Sequence, residues 1–481
     1  MVNTLEAIVG LDNVYHQREI LSDYSSDESF SLPVRPGSVV KPGNRSEVEL
    51  IIKWANETST PLIPVSSGPP HFNGDTVPGV GGAVMVDLSG MKKIIRIDRR
   101  NRVAMIEPGV TFGELIPAME KEGLAPFMTF LPRSSKSVVT SFLERTPITI
   151  PRHHWEAQDP LQCVEVVYGN GELMRTGSAA GPGTVEEQWK VGRAQLRGMG
   201  PSQVDFTRLL QGAQGTMGIV TWATIRCRPL PKIKKTFLIV SDDIKPIIDL
   251  VYKITYKKLG ENLLIVNNTE LSSIMGKGSE SIEKLPQWFF YYSIEGDGFF
   301  PEDKVAYQEK ESIKLAEEVG LELKAEFSGI RAEDVSAVLS EPSHDPYWKN
   351  KRKGGNQDIF FITTLDRSPK FISKMYELAD QYHHASEDIG VYLQPTIQGC
   401  NCHLEFSLNY NPEDKLATDA VRQLVKEGSE VLAKMGGFFS RPYGTWSRFA
   451  FDREGMTVIS QRKLKDIFDP KGIMNPGKLC Y

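Results

Sequence analysis

The sequence predicts an α+β fold, and three of its features carry that expectation. Between about residues 30 and 230, short β-branched runs alternate with helical segments and Gly/Pro punctuation. From about 235 to 430, β-rich runs with one polar face are interleaved with amphipathic helices. That pattern suits helices packed over an antiparallel sheet. The final stretch, SQRKLKDIFDPKGIMNPGKLCY, reads as a helix followed by a Pro/Gly-rich tail.

Taken in order, SLPVRPGSVVKPGN leads into a helix, RSEVELIIKWANET, with Val48, Ile51, Ile52 and Trp54 at helical spacing. TPLIPVSSG is a short buried strand ending in a turn. GGAVMVDLS, KIIRIDRR and RVAMIEPG read as three strands with meander spacing. TFGELIPAMEKEG is an amphipathic helix ended by Gly123. CVEVVYGNGELMRTG is a hairpin turning at Gly169, Asn170 and Gly171. In the second half, KTFLIVSDD, WFFYYSIEG, DIFFITTLD and HLEFSLNYNP read as strands. KVAYQEKESIKLAEEVG and SPKFISKMYELADQYHHA are the helices between them, with His383 and His384 expected on a helix surface.

Composition removes several function classes. A chain of 481 residues exceeds one ordinary core and implies two or three domains. Apolar residues at 40% and charged residues at 24% exclude wholesale disorder. Lys plus Arg number 56 against 61 Asp plus Glu, a net charge of −5, which argues against nucleic acid as an obligate partner. No apolar run approaches a membrane span, and MVNTLEAIVG lacks a signal-peptide pattern. The expected location is the cytoplasm. Five cysteines do not make a disulfide framework. Cys163 and Cys227 read as buried hydrophobes. The GCNCH triplet, Cys400 to His403, lacks a distant second pair of ligands, so no metal site is expected. No iron–sulfur motif is present, and such a centre would sit on another polypeptide.

Four segments can carry chemistry. Val65, Ser66, Ser67, Gly68, Pro69, Pro70 and His71 follow a buried strand and offer small side chains and backbone N–H groups, a cradle for a pyrophosphate. LPRSSKSVVTSFLERTP, from Leu131, supplies a run of small hydroxyl residues that would line a polar ligand or cap a helix. QGAQGTMGIVTWATIRCRPLP places Gly212, Gly215 and Gly218 just before a strand, permitting close backbone approach. FDPKGIMNPGK closes the chain with Asn475 and Lys478 in a tight turn. No G-x-G-x-x-G, G-x-x-x-x-G-K-[ST] or G-x-S-x-G pattern is present to support a Rossmann, P-loop or hydrolase site. His403 and Glu405 alternate with Leu404 and would share one face of a strand. His403 there is either a proton acceptor or a satisfied structural histidine.

The order of these pieces is more specific than any one of them. E-P-G-V-T-F-G-E-L from Glu107, G-N-G-E-L-x-R-T-G from Gly169, G-T-M-G-I-V-T, and D-P-K-G-I-M-N-P-G-K from Asp469 run through nearly the whole chain. In that order the chain resembles the vanillyl-alcohol oxidase / p-cresol methylhydroxylase family of FAD enzymes. The resemblance implies an FAD domain of two subdomains over 1–235, a cap domain with an antiparallel sheet over 236–440, and a tail, 441–481, returning to the FAD domain. It implies that Val65 to His71 meet the pyrophosphate. It places Pro132, Ser137, Thr140, Ser141 and Glu144 along the diphosphate and ring edge, and Gly215, Gly218, Ile219 and Val220 on the ring or adenine side. Asn475 and Lys478 would approach the ring from the tail, with Lys478 or Arg441 as the positive group near its N1/C2 edge.

The resemblance further implies a dehydrogenase or oxidase in which substrate gives a proton to His403 or a neighbouring base and a hydride to flavin N5. Glu405, Arg441 and Tyr443 complete the expected catalytic set. Non-covalent FAD is expected, with Tyr347, and after it His344, as the residue a covalent link would use. The His153–His154 pair is a further candidate for cofactor contact. The favoured substrate is a para-hydroxylated benzylic alcohol or alkylphenol, which would place the enzyme in aromatic catabolism. Trp348, Phe360, Phe361, Phe438, Phe439 and Tyr443 could stack against it. The enzyme alternative is a D-2-hydroxy-acid dehydrogenase passing electrons to a cytochrome or iron–sulfur subunit. Against it, TIQGCNCH has Thr396 and Gln398 where that branch carries the first histidine and the aspartate of a metal signature. A glycine-poor phosphate loop motivates a third alternative, a member without FAD. A homodimer is an expectation from relatives alone.

Overall fold

In the computed structural model the described residues are 4–153, 159–200, 204–276, 285–452 and 455–481. Three sheets organise them. The first contains β1 (Val14–Tyr15), β2 (Ser38–Val40), β3 (Leu62–Val65) and β4 (Val84–Asp87), in the order β1-β2-β4-β3. β2, β4 and β3 are parallel. The helix Arg45–Thr58 crosses between β2 and β3, burying Val48, Ile51, Ile52 and Ala55, with Trp54 half-buried. Asn44 caps it by accepting the Glu47 N–H at 3.1 Å.

The second sheet is antiparallel. It holds β5 (Ile94–Asp98), β6 (Val103–Ile106), β8 (Leu161–Tyr168), β9 (Leu173–Arg175) and β10 (Gly218–Pro229), with β7 (Leu124–Pro126) paired to β10. The expected three-strand meander is therefore corrected. GGAVMVDLS joins the first sheet as β4, and only the next two runs pair with each other, as β5 and β6. The physical reason is burial: all four residues of β4 are buried, as a parallel strand between its neighbours requires, whereas β5 is half-exposed. The helix Phe112–Glu120 starts in a capping box formed by Thr111 and Glu114 and ends before the turn at Gly123.

The third sheet is built from β11 (Ile233–Ser241), β12 (Leu263–Asn267) and β13 (Trp288–Gly296), then β16 (Gly355–Thr363), β17 (Ile389–Thr396) and β18 (Asn401–Tyr410). A small ribbon, β14 (Glu326–Phe327) with β15 (Ile330–Arg331), stands apart from it. Its order is β11-β13-β12-β17-β18-β16, antiparallel throughout. The helices Ile244–Tyr256, Pro301–Glu318 and Ser368–Gln381 pack on it around Phe290, Tyr292, Phe361 and Phe371. This arrangement is the α+β fold that the sequence predicts. His383 and His384 differ from expectation: the helix ends at Gln381, and His384 turns inward and is buried. Among the described residues no helix is long and apolar enough to cross a membrane.

The tail is fastened by a buried ion pair. Lys465 Nζ lies 2.5 Å from Asp469 Oδ2 and also donates to the carbonyls of Thr216 and Met474. Asp469 accepts the backbone N–H groups of Ile473 and Met474 at 3.0 and 2.8 Å. Removing one partner of a buried pair strands the other without a counter-charge. Asp469→Ala is expected to lower unfolding free energy by about 3–5 kcal/mol, read as a fall in the chemical-denaturation midpoint. An unchanged midpoint would contradict this account of the tail.

Candidate active site

The site begins where β3 ends. The Ser137 N–H donates to Ser67 Oγ at 2.9 Å, joining the loop after β3 to the loop at 132–144. Ser137 Oγ donates to the Pro108 carbonyl and accepts the Thr140 N–H, capping the short helix Val138–Leu143. Gly215 presses on the same strand: a Cβ there would lie 2.5 Å from Pro64 Cγ, and its φ is +69°. Only glycine meets both conditions without strain. The tail pairs with the strand's free edge, through Leu62 N–H to the Ile473 carbonyl and Asn475 N–H to the Leu62 carbonyl, each 2.8 Å. Asn475 Nδ2 donates to the carbonyls of Asp75 and Gln214, and Lys478 Nζ to that of Gly74.

These segments bound a cavity of about 740 Å³, within the size range of small-molecule and cofactor sites. Val65, Ser66, Ser67 and His71 are on its wall, as are Pro132, Thr140, Ser141 and Glu144. Gly215, Gly218, Ile219 and Val220 form another part, and Asn475 and Lys478 reach it from the tail. Tyr347, His403, Glu405, Arg441 and Tyr443 line it from the side of the third sheet. Several expected residues are not on the wall, the aromatic candidates Trp348, Phe361, Phe438 and Phe439 among them. The chain turns outward after Ser67, leaving Gly68 half-buried and Pro69 and Pro70 exposed. Ser137 is wholly buried behind the wall, where its hydrogen bonds make it a buttress. His344 is also off the wall. His153 packs edge-on against Phe127 instead, and His154 lies outside the described residues.

The wall is short of polar partners. Buried His71 Nε2, Ser141 Oγ, Thr146 Oγ1, Gln214 Oε1 and Asn475 Oδ1 have none among the described residues, and all five residues line the cavity. Buried polar atoms are rarely left so, and a cluster of them marks a surface shaped for a polar ligand. Burial, then nearby Arg133, lowers the His71 pKa to about 4. Burial, reinforced by Glu144, raises that of Asp75 to about 7.

At the other end, β18 puts His403 and Glu405 on one face, with His403 Nε2 3.0 Å from Glu405 Oε2. Lys349 Nζ lies 2.5 Å from Glu405 Oε1 and 2.7 Å from Asp358 Oδ2. Arg441 is 8% exposed and lies over the Phe360 ring at 4.0 Å. Its donors make no hydrogen bond or ion pair among the described residues. Arg133, 6% exposed over Phe72, is in the same condition. The sequence reading missed Arg133, Lys349, Asp358 and Tyr392. Asp358 and Phe360 alternate on β16, a two-residue spacing that could have marked them. Lys349 opens the run KNKRK and had no local signal separating it from solvated neighbours.

Two family models match the chain: an FAD binding domain over residues 36–177 and the C-terminal domain of FAD-linked oxidases over 305–479. The chain belongs to the vanillyl-alcohol oxidase / p-cresol methylhydroxylase family. This flavoenzyme is 24% identical to the glycolate oxidase subunit GlcD of Bacillus subtilis, over 95% of this chain and 91% of that one. It is 29% identical to the 4-cresol dehydrogenase [hydroxylating] flavoprotein subunit of Pseudomonas putida, over 52% of this chain and 46% of that one. The substrate-bound structure of p-cresol methylhydroxylase superposes with a TM-score of 0.84 at 18% identity, covering 100% of this chain and 96% of the other. The FAD-binding match includes the glycine-poor loop, so the alternative of a member without FAD is set aside. The unpartnered polar atoms around β3 fit the cofactor's polar groups. FAD-dependent oxidoreduction is the chemistry of this family.

Gly215→Val should disturb the Pro64 contact and the left-handed backbone together. FAD affinity, read by quenching of flavin fluorescence, is expected to fall about tenfold or more, the equivalent of about 1.4 kcal/mol. Wild-type affinity would contradict the role given to this contact.

Proposed function

We propose that this flavoenzyme oxidises a small para-hydroxylated aromatic alcohol or alkylphenol. The observation that carries the reading is Arg441, buried and without an acceptor for its guanidinium among the described residues, set in an aromatic part of the cavity. Phe360 lies beneath it, and Tyr392, Tyr443 and Trp446 line the same cavity. Such a box stacks a ring, while the guanidinium takes an acidic phenolic oxygen. His403 is the proposed proton acceptor. Burial lowers its pKa against the opposing hydrogen bond to Glu405, so the imidazole is neutral at pH 7 and able to accept. Bound FAD would supply the hydride acceptor. Val65 to Ser67, Thr140 and Ser141 are proposed to hold its pyrophosphate, and Gly215 to Val220 its adenine or ring side. Asn475 and Lys478 would approach the ring.

FAD is proposed to be non-covalently held. Burial, opposed by Lys349, raises the Tyr347 pKa to about 12, so its phenol stays neutral rather than nucleophilic. The name of the Pseudomonas relative, a flavoprotein subunit, supports an electron-accepting cytochrome or iron–sulfur partner here. The same reading places the enzyme in cytoplasmic aromatic catabolism. Similarity to the glycolate oxidase subunit over most of the chain favours a second reading, a D-2-hydroxy acid whose carboxylate pairs with Arg441.

Rapid mixing under anaerobic conditions separates the two. Flavin bleaching by 4-hydroxybenzyl alcohol and not by D-lactate is expected, and the reverse would overturn the proposal. Arg441→Met should lose about 2–5 kcal/mol of substrate and transition-state binding, roughly 30-fold to a few thousand-fold in kcat/KM. Because the His403 pKa is lowered, flavin reduction should hold its rate down to the ordinary histidine range, about 6.5, and fall only below it. A fall beginning above neutrality would contradict His403 as the base.

A further inference from the structure

We infer that Lys349 is a positioning residue: it keeps Glu405 ionised, which fixes the His403 proton on Nε2 and leaves Nδ1 to receive the substrate's proton. This deepens the functional reading above and rests on His403 being the base.

Lys349 stands on the helical turn Trp348–Asn350, is 6% exposed, and lies 5.5 Å from the Trp348 ring centre. A lysine is seldom buried this far unless paired. Its partners are Asp358 Oδ2 and Glu405 Oε1, at 2.7 and 2.5 Å. The second oxygen of Glu405 is bonded to His403 Nε2. An ionised carboxylate only accepts hydrogen bonds, so Nε2 must donate, and a neutral imidazole then carries its lone pair on Nδ1. Nδ1 has no hydrogen-bond partner among the described residues, and His403 lines the cavity. A protonated Glu405 could instead donate to Nε2. The proton would then sit on Nδ1, and the ready state would lose its acceptor.

The surrounding charges make Lys349 decisive. Facing this pair are Asp358 from β16, Glu270 from the helix Asn268–Met275, Tyr392 from β17, Tyr347 from the preceding loop, and Arg441 from the C-terminal segment. Burial raises the Glu270 pKa to about 8, so at neutral pH it does not compete for the lysine's charge. Burial also pushes Asp358 up. Glu405 differs: burial raises it, but Lys349 and the His403 hydrogen bond hold it well below the usual carboxylate range. Without the ammonium, burial would govern, and the Glu405 pKa would move upward toward the protonated carboxyl.

The test uses the FAD-loaded enzyme and rapid-mixing reduction by 4-hydroxybenzyl alcohol, or by D-lactate where only that bleaches the flavin, from about pH 6 to about pH 10. Lys349→Met is expected to slow reduction by about tenfold to a hundredfold at pH 7 and to recover as rising pH ionises Glu405. Lys349→Arg should keep the wild-type profile. Glu405→Gln, which cannot ionise, should lose rate without recovering. A Lys349→Met profile matching wild type, or one depressed equally at every pH, would overturn the inference. Should Lys349→Met fail to retain FAD, Glu405→Gln decides, and an unchanged rate in it would overturn the inference. His403→Asn separates the two levels. A wild-type rate there removes His403 as the base and the role of Lys349 with it, while the substrate reading stands or falls on which alcohol or acid bleaches the flavin. A slowed His403→Asn beside an unaffected Lys349→Met sinks only the role of Lys349.

Discussion

The free edge of β3 is the constraint on which the site depends. β3 is four residues long and ends its sheet, so one side of its backbone remains available for pairing. The tail takes that edge through Leu62, Gly215 closes on Pro64, and Ser67 holds the loop at 132–144. Segments separated by more than 400 residues thereby meet around one short strand. The buried Lys465–Asp469 pair serves the same end, tying the tail to the loop that carries Gly215 through the Thr216 carbonyl.

The cavity wall these contacts create changes character along its length. Near β3 it offers small side chains and polar atoms without partners. Beside the third sheet it offers aromatic rings, a guanidinium unpaired among the described residues, and a lysine–carboxylate–histidine chain. Desolvating charges in this way is unfavourable unless a ligand or a counter-charge completes them. Lys349 is completed within the protein. Arg441 and Arg133 have no such partner among the described residues, and in the proposed reading an acidic oxygen of the ligand completes Arg441.

Much of this was legible in the chain. The helical spacing of Val48, Ile51, Ile52 and Trp54 marked the helix Arg45–Thr58, and alternation placed His403 with Glu405 on one strand face. Local pattern could not tell which sheet a strand joins, so β4 was grouped with β5 and β6 when its burial assigns it beside β2 and β3. β12 and β17, central in the third sheet, did not stand out from their surroundings. Lys349 and Arg133 acquire their meaning only from distant partners: Glu405 lies 56 positions from Lys349, and Phe72 reaches Arg133 across the fold. Ser137 took the second of the two uses that its hydroxyl run allowed: it caps the helix Val138–Leu143 and, wholly buried, holds two loops together.

The most direct measurement is a crystal structure of the enzyme with FAD and 4-hydroxybenzyl alcohol bound. The account predicts pyrophosphate density against Ser66, Ser67, Thr140 and Ser141, with the phenolic oxygen within hydrogen-bonding distance of the Arg441 guanidinium. A dinucleotide lying outside these stretches, or an Arg441 turned away from the substrate, would contradict it.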